Sequence, residues 1–136
     1  MARQERLFAR KIPTLFLVDQ LSLYRLAGSS ELMGAQMEHL VATANRPRVT
    51  IQVVPAIMVP QVGHEIELTH AAAYGETSIS GSVWTDEATY SSLARQFDSL
   101  RSEAWRASES LALISEAGEL WTGGNLAIAT ATAGVA

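Results

Sequence analysis

Residues 30–56 constrain the fold more than any other part of the sequence, because a helical period and a strand period follow each other there. Apolar residues first recur on one helical face, at Met33, Met37, Leu40 and Ala44. Ser30 is the predicted N-cap of this helix, and Asn45 and Pro47 end it. Apolar and polar residues then alternate, as in a half-buried strand, with the apolar positions at Val49, Ile51 and Val53. The segment predicts a helix packed on a sheet.

Three further segments have strand patterns. Residues 14–18 are a continuous apolar run, typical of a central strand covered on both faces, and Asp19 is the predicted cap of a helical turn after it. Residues 65–70 and 77–84 each alternate, and we expect them to be antiparallel neighbours connected by residues 71–76.

The remaining elements are predicted helices at the two ends of the chain. Residues 2–10 predict a short helix. Asp86 is the predicted cap of a long helix, and Ser108 that of a final helix ending near Gly118. Strands in the middle and helices at the ends predict an α+β fold, in which an antiparallel or mixed small sheet is covered by helices.

The length of 136 residues fits a single domain. We expect that domain to span residues 1–118. Residues 120–136 contain no charged side chain and two consecutive glycines. Residues 119–136 are therefore interpreted either as a disordered tail or as a late edge strand.

Composition excludes several classes of function. The chain has no cysteine, which excludes disulfides and thiolate metal sites, and we expect a cytoplasmic protein because neither a signal peptide nor a membrane span is found. The net charge is −4, and four of the ten basic residues lie in the first eleven positions, so nucleic-acid binding is not expected. The 48% hydrophobic content favours either an apolar cavity or a homodimer.

Several pieces of the sequence resemble one known family. They are RQERL, LVDQLSLYR, ELMGAQMEHLVATANRPRVTIQVVP, FDSLRSEA and SESLALI, spread over residues 3–114. This set is similar to the C-terminal domain of unknown function in actinobacterial helix-turn-helix (XRE-type), antitoxin-like transcriptional regulators. The resemblance implies a regulatory domain, but the DNA-binding half expected before it is not in this sequence. The middle segment, MVPQVGHEIELTHAAAYGETSISGSVW, also differs from the family pattern.

Known catalytic signatures are not found in the sequence. It has no phosphate loop, dinucleotide fingerprint or GxSxG motif. The three histidines, His39, His64 and His70, do not have the spacing of metal ligands. We therefore expect neither a metal nor a cofactor.

Large apolar side chains in the divergent middle segment and on the first long helix are candidates for the walls of a cavity. Soft methionines and flat aromatic rings adapt to apolar ligands, although ordinary core packing also explains such residues and is favoured for the two methionines of the helix. The candidate substrate-binding residues are Met33, Met37, Met58, Val59, Val62, Tyr74 and Trp84. The candidate polar anchors, which would act as catalytic residues, are Gln61, His64 and Thr69.

Two functions fit these features. The first is a cofactor-free cyclase of specialised metabolism, which holds a polyene or polyketide chain in a reactive arrangement, since positioning alone lowers the barrier of a cyclisation or cycloaddition. The second is a non-enzymatic module that senses a ligand or a partner protein and regulates without binding DNA itself. We expect the cyclase on the strength of the divergent middle segment.

Overall fold

Three α-helices and five short strands make up the part of the chain described by the structure, a computed structural model covering residues 13–56, 65–68, 73–76 and 81–123. The elements in chain order are β1 (Thr14–Asp19), a 3₁₀ turn (Gln20–Leu23), α1 (Ser30–Ala44), β2 (Val49–Val54), β3 (Glu65–Leu68), β4 (Ala73–Glu76), β5 (Gly81–Trp84), α2 (Glu87–Glu103) and α3 (Ala107–Thr122). This single mixed domain confirms the predicted α+β class. The predicted helix over residues 2–10 lies outside the described residues.

The first sheet pairs β1 with β2 in parallel. A parallel pair needs a crossover, and the 3₁₀ turn and α1 provide it. Ile51 and Val53 of β2 are buried beneath the helices, whereas every residue of β1 is only half-buried. The prediction that residues 14–18 form the central strand was therefore wrong. β2 takes the inner position, because the chain leading into α3 covers its other edge.

That covered edge is held by hydrogen bonds from the α2–α3 junction. The Trp105 N–H donates to the Val53 carbonyl at 3.0 Å, and the Ser110 hydroxyl accepts from the Val53 N–H at 2.8 Å. The Gln52 side-chain amide donates to the Trp105 carbonyl at 2.9 Å. Both backbone groups of Val53 are thereby satisfied without a third strand.

The second sheet is an antiparallel meander of β3, β4 and β5. Residues 65–70 and 77–84 were predicted to be neighbours joined by residues 71–76. The prediction was wrong, because β4 forms inside the supposed connection and pairs with a strand on each side. Alanine and glycine in that stretch, read as a loop signal, are accommodated in β4, where backbone pairing stabilises them.

The core lies between the inner face of the first sheet and the helices α1 and α3. Its buried members are Leu23, Met33, Met37, Ile51, Val53, Ile114, Ala117 and Trp121. The Trp121 indole N–H donates to the Leu23 carbonyl at 2.8 Å. This bond fixes the 3₁₀ turn to the last turn of α3, and it satisfies the one polar atom of a side chain that is 1% exposed.

The predicted helix boundaries are confirmed in three places and corrected in another. Asp19 and Asp86 cap the 3₁₀ turn and α2 as predicted, and Asn45 ends α1. The cap of α1 is Ser29 and not Ser30, since the Ser29 hydroxyl accepts from the Leu32 N–H at 3.1 Å.

Both ends of α3 differ from the prediction. The helix begins after Arg106, two positions before the predicted cap Ser108, because the Glu109 carboxylate accepts from the Arg106 N–H at 3.3 Å. It also continues past Gly118 to Thr122, so residues 119–122 belong to a helix and not to a tail. Residues 124–136 lie outside the described part of the chain.

Candidate docking surface

Most of the predicted catalytic and wall residues lie outside the described residues. These are Met58, Val59, Gln61, Val62, His64 and Thr69. Their assignment as polar anchors or cavity walls stays a prediction.

Tyr74 and Trp84 lie on neighbouring strands of the antiparallel sheet. Tyr74 pairs with Val83, and Trp84 pairs with Ala73. Since consecutive strand positions alternate between the two faces, positions 74 and 84 belong to opposite faces of this sheet. The register therefore does not place the two predicted aromatic walls on one face. Trp84 is half-buried.

Met33 and Met37, predicted to line a cavity, lie in the core. They are 5% and 3% exposed and pack with the buried residues of α3 and β2. A Cβ atom placed on Gly118 would lie 3.2 Å from the Met37 Cβ, so α3 passes very close to this methionine. The space beside Met37 is thus filled by protein, as expected for ordinary core residues.

An open groove of about 440 Å³ lies between α1 and α3. We call it the α1–α3 groove, and its lining residues are Ser30, Glu31, Gly34, Ala35, Glu38, Trp121 and Thr122. Gly34 forms part of its floor, where a Cβ atom would lie 3.2 Å from the Thr122 hydroxyl oxygen. The small residues of α1 therefore allow the end of α3 to approach and leave a shallow channel beside it.

The charges of the α1–α3 groove are negative. Glu31, Ala35 and Glu38 recur at helical spacing, so both carboxylates lie on the exposed face of α1. The last turn of α3, which lines the other wall, carries the negative end of its helix dipole. No basic residue lines the groove among the described residues. Its chemistry suits a cationic group and repels an anionic one.

Two exposed leucines lie near the start of α1, close in sequence to residues of the α1–α3 groove. Leu26 and Leu32 are 47% and 58% exposed, and Leu32 follows the groove residue Glu31. The Leu32 side chain lies over the backbone of Gly28, whose φ of +82° favours glycine and where a Cβ atom would come within 2.7 Å of Leu32 Cδ2. An acidic groove together with exposed leucines near the start of the same helix has the composition of an interaction surface.

Two described groups have shifted pKa values, and neither belongs to a catalytic pair. Burial, and secondarily the charge of Glu116, raise the pKa of Tyr24. The hydroxyl and the backbone N–H of Thr89 lower the pKa of Asp86, whose role as a helix cap explains the shift. In the described part of the chain, no group of histidine and carboxylate residues could hold a metal ion. No described helix has the length and apolar character to cross a bilayer.

Sequence reasoning missed the residues that form this surface. Trp121 follows Ile114 and Ala117 at helical spacing, so extending the period beyond Gly118 would have found it. Nothing in the sequence around Glu31 and Glu38 indicates a neighbouring element, and only the approach of α3 makes them part of a groove.

Comparison with known proteins gives one family. Residues 1–116 match the domain of unknown function DUF5753. The match contains all of residues 3–114, on which the resemblance to a domain of unknown function rests. No curated protein and no solved structure matches the chain.

Proposed function

Since this chain belongs to DUF5753, a domain of unknown function, we propose that it is a non-enzymatic docking module for a partner protein. The proposed setting is that of the antitoxin-like transcriptional regulators whose C-terminal domain the sequence resembles. The partner segment carries an apolar side chain flanked by lysine or arginine. It lies along the α1–α3 groove and extends to the exposed leucines Leu26 and Leu32.

One observation carries the proposal. The α1–α3 groove is open and has a charged wall, and two exposed leucines lie near the start of α1, while the predicted cavity residues of α1 pack inside the core. An enclosed apolar chamber is what a cyclase needs to hold a flexible substrate. An open groove with exposed leucines suits a protein segment, which brings its own backbone hydrogen bonds and its own apolar side chains.

The two parts of the surface contribute differently to binding. Covering the exposed half of one leucine is worth about 1 kcal/mol, whereas an exposed ion pair is worth about 0.2–1 kcal/mol and weakens with salt. We therefore expect Leu26 and Leu32 to supply most of the affinity. The carboxylates of Glu31 and Glu38 would select a basic partner and speed its association.

The test is complex formation with the products of the genes that flank this one, each purified and titrated by calorimetry. We expect one of them to bind, and Leu32→Asp to weaken binding by about tenfold or more, equivalent to about 1.4 kcal/mol. The control is Val83→Asp, because Val83 is also an aliphatic side chain and is 65% exposed, but it lies on β5. Equal losses in the two variants would contradict a specific role for the exposed leucines.

Charge is tested separately. The double variant Glu31→Lys/Glu38→Lys should lower the association rate and abolish its dependence on salt. Glu103→Lys, an exposed reversal in the last turn of α2, is the control. The oligomeric state is the last outcome. If the wild type is a homodimer and Leu32→Asp is a monomer, a second copy of the chain covers the leucines. That result would overturn the proposal.

The cofactor-free cyclase is the competing proposal, favoured by the half-buried Trp84 in a segment that diverges from the family pattern. It predicts turnover of a linear polyene or polyketide by the purified chain. Trp84→Ala would then abolish turnover while the circular dichroism spectrum is retained. Turnover of this kind, with no binding to any flanking gene product, would replace the docking proposal.

A further inference from the structure

The helix α2 differs from the other two described helices because none of its residues is buried. α1 and α3 each place several side chains in the described core, to which α2 contributes none. An isolated helix of 17 residues is marginal in water, and most of its stability in a protein comes from packing of an apolar face. The apolar face of α2 is therefore a candidate for further packing.

The apolar residues of α2 have the spacing of a short two-stranded coiled coil. Leu93, Phe97 and Leu100 follow each other at intervals of four and three residues, so they form one stripe along the helix. We call them the α2 stripe. All three are half-buried, so part of each side chain is still exposed to solvent in the single chain. A second helix laid along this stripe would cover the exposed part.

One edge of the α2 stripe has a charge pattern that is complementary to itself. Glu87, Ala94 and Arg101 recur every seventh residue and lie beside the stripe. Glu87 is in the first turn of α2, Arg101 is in the last turn, and both are exposed. The edge is thus acidic at one end, small in the middle and basic at the other end. An inverted copy of the same helix would place opposite charges against each other at both ends.

We propose that α2 pairs with α2 of a second copy of the chain in an antiparallel homodimer. Leu93 of each copy packs against Phe97 of the other, and Glu87 of each copy faces Arg101 of the other. The two Ala94 residues lie close together near the two-fold axis, where their small side chains let the helices approach. A parallel pair would not join the charges, because positions 87 and 101 are about 21 Å apart along a helix.

The proposed dimer does not use the α1–α3 groove. None of the residues of the α2 stripe or of its charged edge lines that groove. A dimer formed through α2 therefore carries two copies of the groove, and a partner with two binding segments would be held more tightly than by one copy. The dimer is independent of the docking proposal, because it requires no partner protein.

The first test is the oligomeric state, measured by sedimentation velocity over a series of protein concentrations. We expect a reversible dimer with a Kd in the micromolar range, because a single helix pair is a small interface. Arg101→Glu should raise this Kd by about tenfold, since it replaces two attractive pairs by two repulsive ones. Arg95→Glu is the matched control, because it changes the net charge equally on the exposed far side of α2. It should dimerise like the wild type.

A charge exchange tests the antiparallel register. Glu87→Arg alone should weaken the dimer as Arg101→Glu does, whereas the double variant Glu87→Arg/Arg101→Glu should return the Kd to within about twofold of the wild type, because the pairs are attractive again. No recovery in the double variant would overturn the proposal. Equal weakening by Arg95→Glu, or a wild-type chain that stays monomeric throughout the concentration series, would do the same.

A cross-link locates the contact without relying on charge. The chain has no cysteine, so a single introduced thiol is unique. Ala94→Cys should form a disulfide-linked dimer under mild oxidation, whereas Arg95→Cys, on the far side of α2, should stay mostly monomeric. Equal cross-linking of the two variants would contradict the proposed contact.

The variant Leu32→Asp separates this dimer from contacts made by α1. It should dimerise like the wild type, since Leu32 lies on α1. Loss of the dimer in Leu32→Asp would place the contact between the two copies on α1 and would overturn the pairing through α2.

Discussion

At the scale of single residues, one hydroxyl group completes the hydrogen bonding of β2. The Ser110 side chain is fully buried and accepts from the Val53 N–H at 2.8 Å. Its own hydroxyl hydrogen points to the Trp105 carbonyl at 3.3 Å. A small polar side chain in the core is therefore explained by the strand edge that it covers.

Removing this hydroxyl should destabilise the domain. Ser110→Ala leaves the buried Val53 N–H without a partner, which costs about 1–3 kcal/mol. The measurement is urea unfolding. Ser108→Ala, exposed in the first turn of the same helix, should change the stability by less than about 0.5 kcal/mol. A Ser110→Ala loss as small as that of the control would mean that the strand edge relaxes without it.

Tyr24 gives the stability a predictable dependence on alkaline pH. Burial and the charge of Glu116 raise its pKa, so the folded state holds the phenol proton more tightly than the unfolded state does. The stability that the Tyr24 phenol proton gives the folded state is fully present below the unfolded pKa of about 10. It is lost as the pH rises through the higher folded pKa. Tyr24→Phe should flatten the alkaline fall in unfolding free energy, measured by urea titration. An unchanged slope would contradict this.

The conformation of Arg48 can be tested through stability as well. Arg48→Val places a β-branched residue at a φ of +64°, whereas Arg48→Asn tolerates that region. Both variants lose the guanidinium, so the difference between them isolates the backbone. We expect the valine variant to be less stable than the asparagine variant by about 1–2 kcal/mol in urea unfolding. Equal stability would show that the turn rearranges.

At the scale of elements, two glycines govern how α1 and α3 cross. A Cβ on Gly118 would lie 3.2 Å from the Cβ of Met37. Met37 is 3% exposed, and its Cβ cannot move without moving the backbone to which it is bonded. A Cβ on Gly34 would lie equally close to the hydroxyl of Thr122, which is exposed at the end of α3. The two contacts have the same length, but the exposed Thr122 side chain can move away from an added Cβ and the Cβ of Met37 cannot.

Alanine at the two positions should therefore have opposite effects. An alanine is worth about 1 kcal/mol over glycine inside a helix, and overpacking a core costs about 1–3 kcal/mol. Gly118→Ala should lower the stability, because Met37 cannot move away, while Gly34→Ala should leave it unchanged or raise it. Thermal unfolding of the two variants measures this difference. Stabilisation by both would show that α3 shifts outward at little cost.

The sequence period predicted the elements that have one amphipathic face and missed those that depend on neighbours. α1 and β2 follow their own periods, so they were found almost to the residue. β4 was missed because its composition resembles a loop, and it becomes a strand through pairing with β3 and β5. The end of α3 was placed at Gly118, since glycine usually stops a helix. In the fold that glycine makes room for Met37.

The candidate site was harder to predict than the fold. Its acidic residues lie on the exposed face of α1, where the sequence gives no signal of a neighbour. The groove exists only because α3, more than seventy residues later in the chain, ends beside that face.

At the scale of the whole molecule, Trp121 connects the two ends of the described chain. Its indole N–H donates to the Leu23 carbonyl, 98 residues away, and its ring fills the core between α1 and the 3₁₀ turn. Trp121→Phe keeps most of the apolar volume but leaves that buried carbonyl unpaired, so it should cost about 1–3 kcal/mol in chemical unfolding. Trp84→Phe, half-buried on β5, should cost less. The reverse order would contradict a central role for Trp121.

The closed edge of β2 has a consequence for how other chains can approach. An open strand edge is a template on which a peptide can add as a further strand, both in recognition and in aggregation. Trp105 and Ser110 already occupy the hydrogen-bonding groups of Val53, so strand addition at that position would first require the α2–α3 junction to detach. A partner that approaches Val53 from that side must therefore be recognised through side-chain contacts, since the backbone groups of Val53 are already hydrogen-bonded.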